Sequence, residues 1–217
     1  MIRSRLIAAA VLLAALPMAP PAAAHPHVFV DAGVDFVLDD GRELEALEIT
    51  WRFDAFETLY TLSAEGFAPD AEGRLDEAAR RHLARQFGDW PDDFDGFERL
   101  KVAGETIALD RPSGLGVRLV DGRLEVRFTR RLPAPVALDD GEAEVSVYEA
   151  TYYYAVSVAE APSPTGTEGC AARVIPFEPD ARLSAMQTSL FDLGREETPA
   201  VADVGALFAD RVVLACD

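Results

Sequence analysis

Leu47, Ile49, Trp51 and Phe53 occupy every second position of one short stretch, and that period of two constrains the fold more than any other feature of the chain. A strand points alternate side chains to opposite faces, so a single apolar parity marks one buried face. Residues 27–38 carry a similar alternation, and Asp39-Asp40-Gly41 between the two runs supplies a turn. Together they read as a β-hairpin. Glu98 to Leu109 reads as a shorter hairpin around Gly104, and Asp121-Gly122 is a two-residue turn between Gly114–Val120 and Arg123–Phe128. Ala143 to Val158 is the longest extended run, and its Tyr152-Tyr153-Tyr154 suits packing in a core or at its rim.

One block breaks this pattern. Asp54 is an N-cap candidate for a helix over 54–62, and Leu75 to Phe87 has helical periodicity with Asp76 and Glu77 in its first turn. Near the end, Val201, Val204, Leu207, Phe208 and Val212 predict an amphipathic helix over about 199–214. The expected fold is therefore α+β: a mainly antiparallel β-sheet or sandwich, with a helical insertion around 54–90 and a C-terminal helix.

The chain begins differently. Arg3 and Arg5 precede an uncharged apolar run from Leu6 to Leu16, then prolines, then Ala22-Ala23-Ala24. A basic start, a short apolar core and small residues before a cut site define a secretory signal, and the run is shorter than the roughly 20 residues that span a bilayer. Cleavage after Ala24 leaves residues 25–217 as one exported β-rich domain. It also removes two arginines and no acid, so the net charge of −18 becomes −20. That balance argues against a nucleic-acid binder, which needs a basic face. In an oxidising compartment the two cysteines, Cys170 and Cys216, are expected to pair; the alternative is a pair of reduced thiolate ligands.

Cleavage after Ala24 makes His25 the first residue of His25-Pro26-His27-Val28-Phe29-Val30-Asp31. A terminal histidine offers its α-amine and its ring to one ion, and a second imidazole completes three nitrogens suited to copper, and acceptable to nickel or zinc. Pro26 has no backbone N–H, which blocks the square-planar chelate that uses deprotonated amides. Only three histidines occur in the chain, and two of them sit here; His82 lies on a helical stretch and reads as a surface or half-buried residue. On an extended strand His27 and Asp31 are roughly 13 Å apart, too far to share an ion without a bend. The stretch Asp70 to Asp76 is loosely like a calcium loop, but Ala68 and Ala79 stand where its first and last ligands belong. The chain has no Gly-x-Ser-x-Gly, Cys-x-x-Cys, His-Glu-x-x-His or phosphate-binding glycine loop.

His25-Pro26-His27-Val28-Phe29-Val30-Asp31-Ala32, Trp51-Arg52-Phe53-Asp54, the Asp70–Leu75 loop, Tyr148-Glu149-Ala150-Thr151-Tyr152-Tyr153 and the late cysteine pair occur in that order. With these motifs the chain resembles the domain-of-unknown-function 1007 family of exported bacterial proteins, over nearly all of its mature length. The resemblance implies a periplasmic component of a transport system, of a kind often encoded beside nickel/cobalt-type membrane transporters. The expected function is thus a soluble metal-binding accessory that exchanges a divalent transition metal (nickel, cobalt, copper or zinc) with an inner-membrane metal transporter. His25 and His27 would be the ligands, with Asp31, Asp54 or Glu149 supplying an acid from neighbouring strands. The alternatives are a copper-dependent redox enzyme using the same terminal site and a metal-free envelope module.

Overall fold

A computed structural model describes residues 26–216, apart from 41, 139–140, 164, 166–168 and 195–196. The expected signal segment and His25 lie outside the described residues. The predicted hairpin is present: β1 (Val28–Leu38) pairs antiparallel with β2 (Glu43–Phe53), with Ala32 opposite Trp51 and Val34 opposite Ile49. Leu47, Ile49, Trp51 and Phe53 are all buried, as their parity requires. The helical block holds α1 (Ala55–Ala64) and α2 (Glu77–Gly88), whose N-caps Asp54 and Asp76 accept from the backbone N–H of Glu57 and Ala79.

Both smaller hairpins also form. β3 (Glu98–Val102) pairs with β4 (Glu105–Ile107), and β5 (Ser113–Val120) pairs with β6 (Arg123–Ala137) across Asp121-Gly122. The long run at 143–158 is split: β7 (Ala143–Val147) and β8 (Tyr154–Val158) lie in different sheets. The first sheet has the order β5-β6-β2-β1-β8, and its β1–β8 pair is parallel. The second has the order β4-β3-β7-β10-β9, with β9 (Cys170–Ile175) at one edge and β10 (Asp210–Cys216) beside it. One cluster of buried apolar side chains draws on both sheets and on Leu62, Leu75, Ala79 and Leu83 of the helical block. The α+β class with mainly antiparallel sheets holds.

The C-terminal part needs a correction in position. The helix there is α3 (Ala181–Phe191), earlier than expected, while residues 204–208 make one 3-10 turn. Asp210–Cys216 is not helical but forms β10, between β7 and β9. Val201, Val204, Leu207 and Phe208 follow helical spacing only as far as the turn. Val212-Val213-Leu214 is then a fully buried apolar run, the signature of an interior strand that periodicity alone does not separate from a helix.

Cys170 and Cys216 are paired, directly opposite in the β9–β10 ladder and 46 residues apart in sequence. Closing such a loop removes unfolded-state entropy equivalent to about 4 kcal/mol. The double substitution Cys170→Ala with Cys216→Ala should lower the unfolding free energy in urea by about that amount; an unchanged midpoint would show that the edge strand needs no staple.

On the outer face of the first sheet the Glu125 carboxylate is covered by Arg52 at 2.6 Å, Arg118 at 2.6 Å and Arg127 at 2.9 Å. Burial pushes its pKa up, but the hydrogen bonds from Arg52 and Arg118 and the charge of Arg127 bring it net below the ordinary value. A carboxyl depressed on folding contributes stability above its unfolded value, about 4.3, and loses it as pH falls through the lower folded value. Glu125→Gln should therefore lower stability at neutral pH and flatten the fall between about pH 6 and about pH 3. A variant with the same acid limb as the parent would refute this assignment.

Candidate functional site

The start of β1 fixes the one expected imidazole that the described residues include. His27 donates its backbone N–H to the Tyr153 carbonyl at 2.9 Å, and its ring lies 4.7 Å from the Tyr153 ring. It is half-buried. Tyr153 can hold it because β8 runs parallel to β1, with Tyr154 in register with Val28.

The three expected acids are each engaged elsewhere. Asp31 forms an ion pair with Arg123 at 2.6 Å, and that guanidinium also donates to the carbonyls of Phe53 and Arg52. Asp54 accepts from the N–H of Phe29 at 2.8 Å and from that of Glu57 at 2.8 Å, so it caps α1 and ties it to β1 at once. Glu149 accepts from the N–H of Thr151 and of Tyr153 and from the Thr151 hydroxyl. These bonds bend the chain between β7 and β8, because they take N–H groups that a continuous strand would give to a ladder. Among the described residues no group of three or more His, Cys, Asp and Glu converges as a metal cluster. The Asp70 carboxylate is likewise committed, to the Arg74 side chain and to the N–H of Glu72 and Arg74; that hydrogen bonding holds its pKa low.

Sequence reasoning missed a cleft of about 470 Å³ between α1, the end of α2 and the shared core. Trp51 forms part of its lining, stacked at 5.8 Å on Trp90 and edge-on at 4.7 Å to Phe128. Beneath them lies a buried charge. Glu98 on β3 accepts from Trp51 Nε1 at 2.8 Å and faces Arg130 of β6 at 3.5 Å. Burial raises the Glu98 pKa, against the pull of Arg130 and the Trp51 hydrogen bond. Arg130 lies 5.1 Å from the Trp90 ring centroid, donates to the Leu109 and Asp110 carbonyls and pairs with Asp95. Only glycine fits at position 96: its φ is +71°, and a Cβ would press on Arg130 and Glu98.

A smaller cavity of about 260 Å³ shares Glu57, Tyr60 and Tyr154 with this cleft and adds His27 and Tyr153. Burial, and then the charge of Glu57, raise the Tyr154 pKa to about 12. Glu57 is thus the acid that lines both cavities, and no sequence pattern singled it out. Its carboxylate accepts from the Thr61 hydroxyl one turn along α1. Trp90, Pro91 and Phe94 come from an irregular segment whose sequence has no periodicity to read.

The bend at Glu149 also depends on Gly205, whose N–H donates to the Ala150 carbonyl at 3.1 Å. A Cβ at that position would overlap the Glu149 carbonyl. Gly205→Ala should cost roughly 3 kcal/mol in urea unfolding, whereas Gly116→Ala, on an open strand face, should stay within about 0.5 kcal/mol of the parent. Equal effects at the two sites would refute the close approach.

Comparison with known sequences places these features in a wider set. A family model described as a protein of unknown function (DUF1007) matches residues 9–216. An uncharacterized protein of Haemophilus influenzae is 20% identical over 200 residues, covering 89% of this chain and 92% of that protein. The matched region takes in both sheets, all three helices and the cysteine pair, and the chain belongs to the domain-of-unknown-function 1007 family.

Proposed function

We propose that this protein is a soluble periplasmic accessory that binds a divalent transition metal at its processed N-terminus and exchanges it with an inner-membrane metal transporter. The observation that carries this reading is the placement of His27. Its backbone is tied to Tyr153 and its ring lies against the Tyr153 ring, two positions after the residue that signal cleavage would expose. One imidazole is therefore held in place near the terminus, and restricting a ligand beforehand lowers the entropy lost on binding. The paired cysteines support an oxidising compartment.

The donor set suits a borderline metal. The α-amine and ring of His25 and the ring of His27 are nitrogen donors, which favour copper, nickel, cobalt or zinc over calcium or magnesium. Asp31, Asp54 and Glu149 would each have to give up a structural partner to serve as ligands, so the nitrogens carry the proposal.

The test compares processed protein beginning at His25 with a form carrying one extra residue before it, by calorimetric titration with copper(II), nickel(II), cobalt(II) and zinc(II). Blocking the amine, and separately His27→Ala, should each weaken binding of the preferred metal at least about tenfold. Equal affinity in all three forms would overturn the terminal site.

A further inference from the structure

We propose that the aromatic cleft beside α1 is a binding site for a small organic cation, an alkylated ammonium group on a compact apolar body. The proposal stands apart from the terminal metal site and does not require it.

Size is the first support. About 470 Å³ falls within the range of pockets that enclose small molecules. The second is the chemistry of the wall. Trp51, Tyr60, Phe87, Trp90, Phe94 and Tyr154 contribute aromatic rings, whose faces carry partial negative charge and attract cations. Tyr60 stands 58% exposed, an open flank that a ligand entering the cleft would cover.

The charges around the cleft give the third support. Among the described residues its charged lining is Glu57, Glu65 and Asp89, with no lysine, arginine or histidine. Glu65 is bonded to His82 at 2.7 Å and to Gln86 at 3.1 Å, which holds its carboxylate in place beside the cleft. Behind the wall, Arg130 is neutralised by Asp95 and Glu98 and does not enter the cavity lining. An anion would meet like charge on every side. A bare metal ion would gain little from aromatic walls, being hard and strongly hydrated. A neutral apolar guest would use the rings but gain nothing from the acidic lining. A cation with an apolar shell satisfies both.

The experiment has a local reporter, because the only two tryptophans of the chain, Trp51 and Trp90, both line the cleft. Tryptophan emission of the processed protein is followed in EDTA, which removes any terminal metal, while tetramethylammonium, choline and the neutral choline isostere 3,3-dimethylbutan-1-ol are titrated. At least one cation should give a saturable change with a dissociation constant of about 1 mM or tighter. The neutral isostere should bind at least about tenfold more weakly than choline. Tyr60→Ala and Glu57→Gln, both at the surface end of the cleft, should each weaken the cation about fivefold with unchanged far-ultraviolet circular dichroism. No saturable response to either cation by about 10 mM, equal affinity for the neutral isostere, or variants that bind as the parent does would each overturn the proposal. Because metal is absent throughout, none of these results bears on the terminal histidines.

Discussion

The buried pair Glu98–Arg130 joins the two sheets. Glu98 belongs to β3 of the second sheet, Arg130 to β6 of the first, and Trp51 on β2 donates to the same carboxylate. Both charged side chains are essentially sealed from solvent, where removing one partner leaves an uncompensated charge. Arg130 goes on to hold the backbone carbonyls of Asp95, Leu109 and Asp110. One guanidinium thus fixes the segment carrying Trp90 and Phe94 against Trp51. A purely apolar contact could slide; a charged, hydrogen-bonded one specifies a single register between the sheets, and the aromatic cleft inherits its shape from it.

The second organising feature is the passage between sheets at Glu149. Its carboxylate gathers the N–H of Thr151 and Tyr153, Tyr152 adopts a left-handed backbone at φ 61°, and the chain leaves β7 for β8. That passage lays β8 parallel to β1 and sets Tyr153 against His27. Gly205 packs against the bend, and Tyr152 joins Leu190, Val204 and Phe208 in a small apolar cluster that also seats α3. The C-terminal strand contributes too: the Asp210 carboxylate accepts from the N–H of Val158 and of Phe177, pinning the end of β8. The placement of His27 therefore depends on residues more than a hundred positions away.

What was legible in the sequence was local. Parity in Leu47–Phe53, the turn at Asp121-Gly122 and the cap Asp54 depend on neighbours within a few residues and appear as expected, while Asp76, expected in a first turn, caps the helix instead. The 143–158 run misleads because its alternation continues through Glu149, and only a tertiary bend decides that its halves join different sheets. The 199–214 segment misleads for a related reason: four apolar residues at helical spacing precede a buried strand whose identity is set by its partners β7 and β9. The cleft was invisible because its rings come from β2, α1, α2, the irregular 90–97 segment and β8, and no spacing in one stretch encodes their meeting.

The acids carry a lesson of their own. A chain with 38 acidic side chains invites the assumption that some are ligands. Yet the candidates nearest His27 in sequence and register are occupied: Asp31 by Arg123, Asp54 by two backbone N–H groups, Glu149 by its own turn. Each carboxylate is worth more to the fold as an acceptor than as a loose oxygen donor, since freeing it would orphan the N–H or guanidinium it satisfies. The chemistry left at the N-terminal end of β1 is then nitrogen from histidine, and the chemistry left in the cleft is aromatic surface with Glu57, Glu65 and Asp89 around it. The two proposed sites would take different guests, a coordinating metal in one case and a poorly hydrated organic cation in the other, and the cavity beside His27 shares Glu57, Tyr60 and Tyr154 with the cleft.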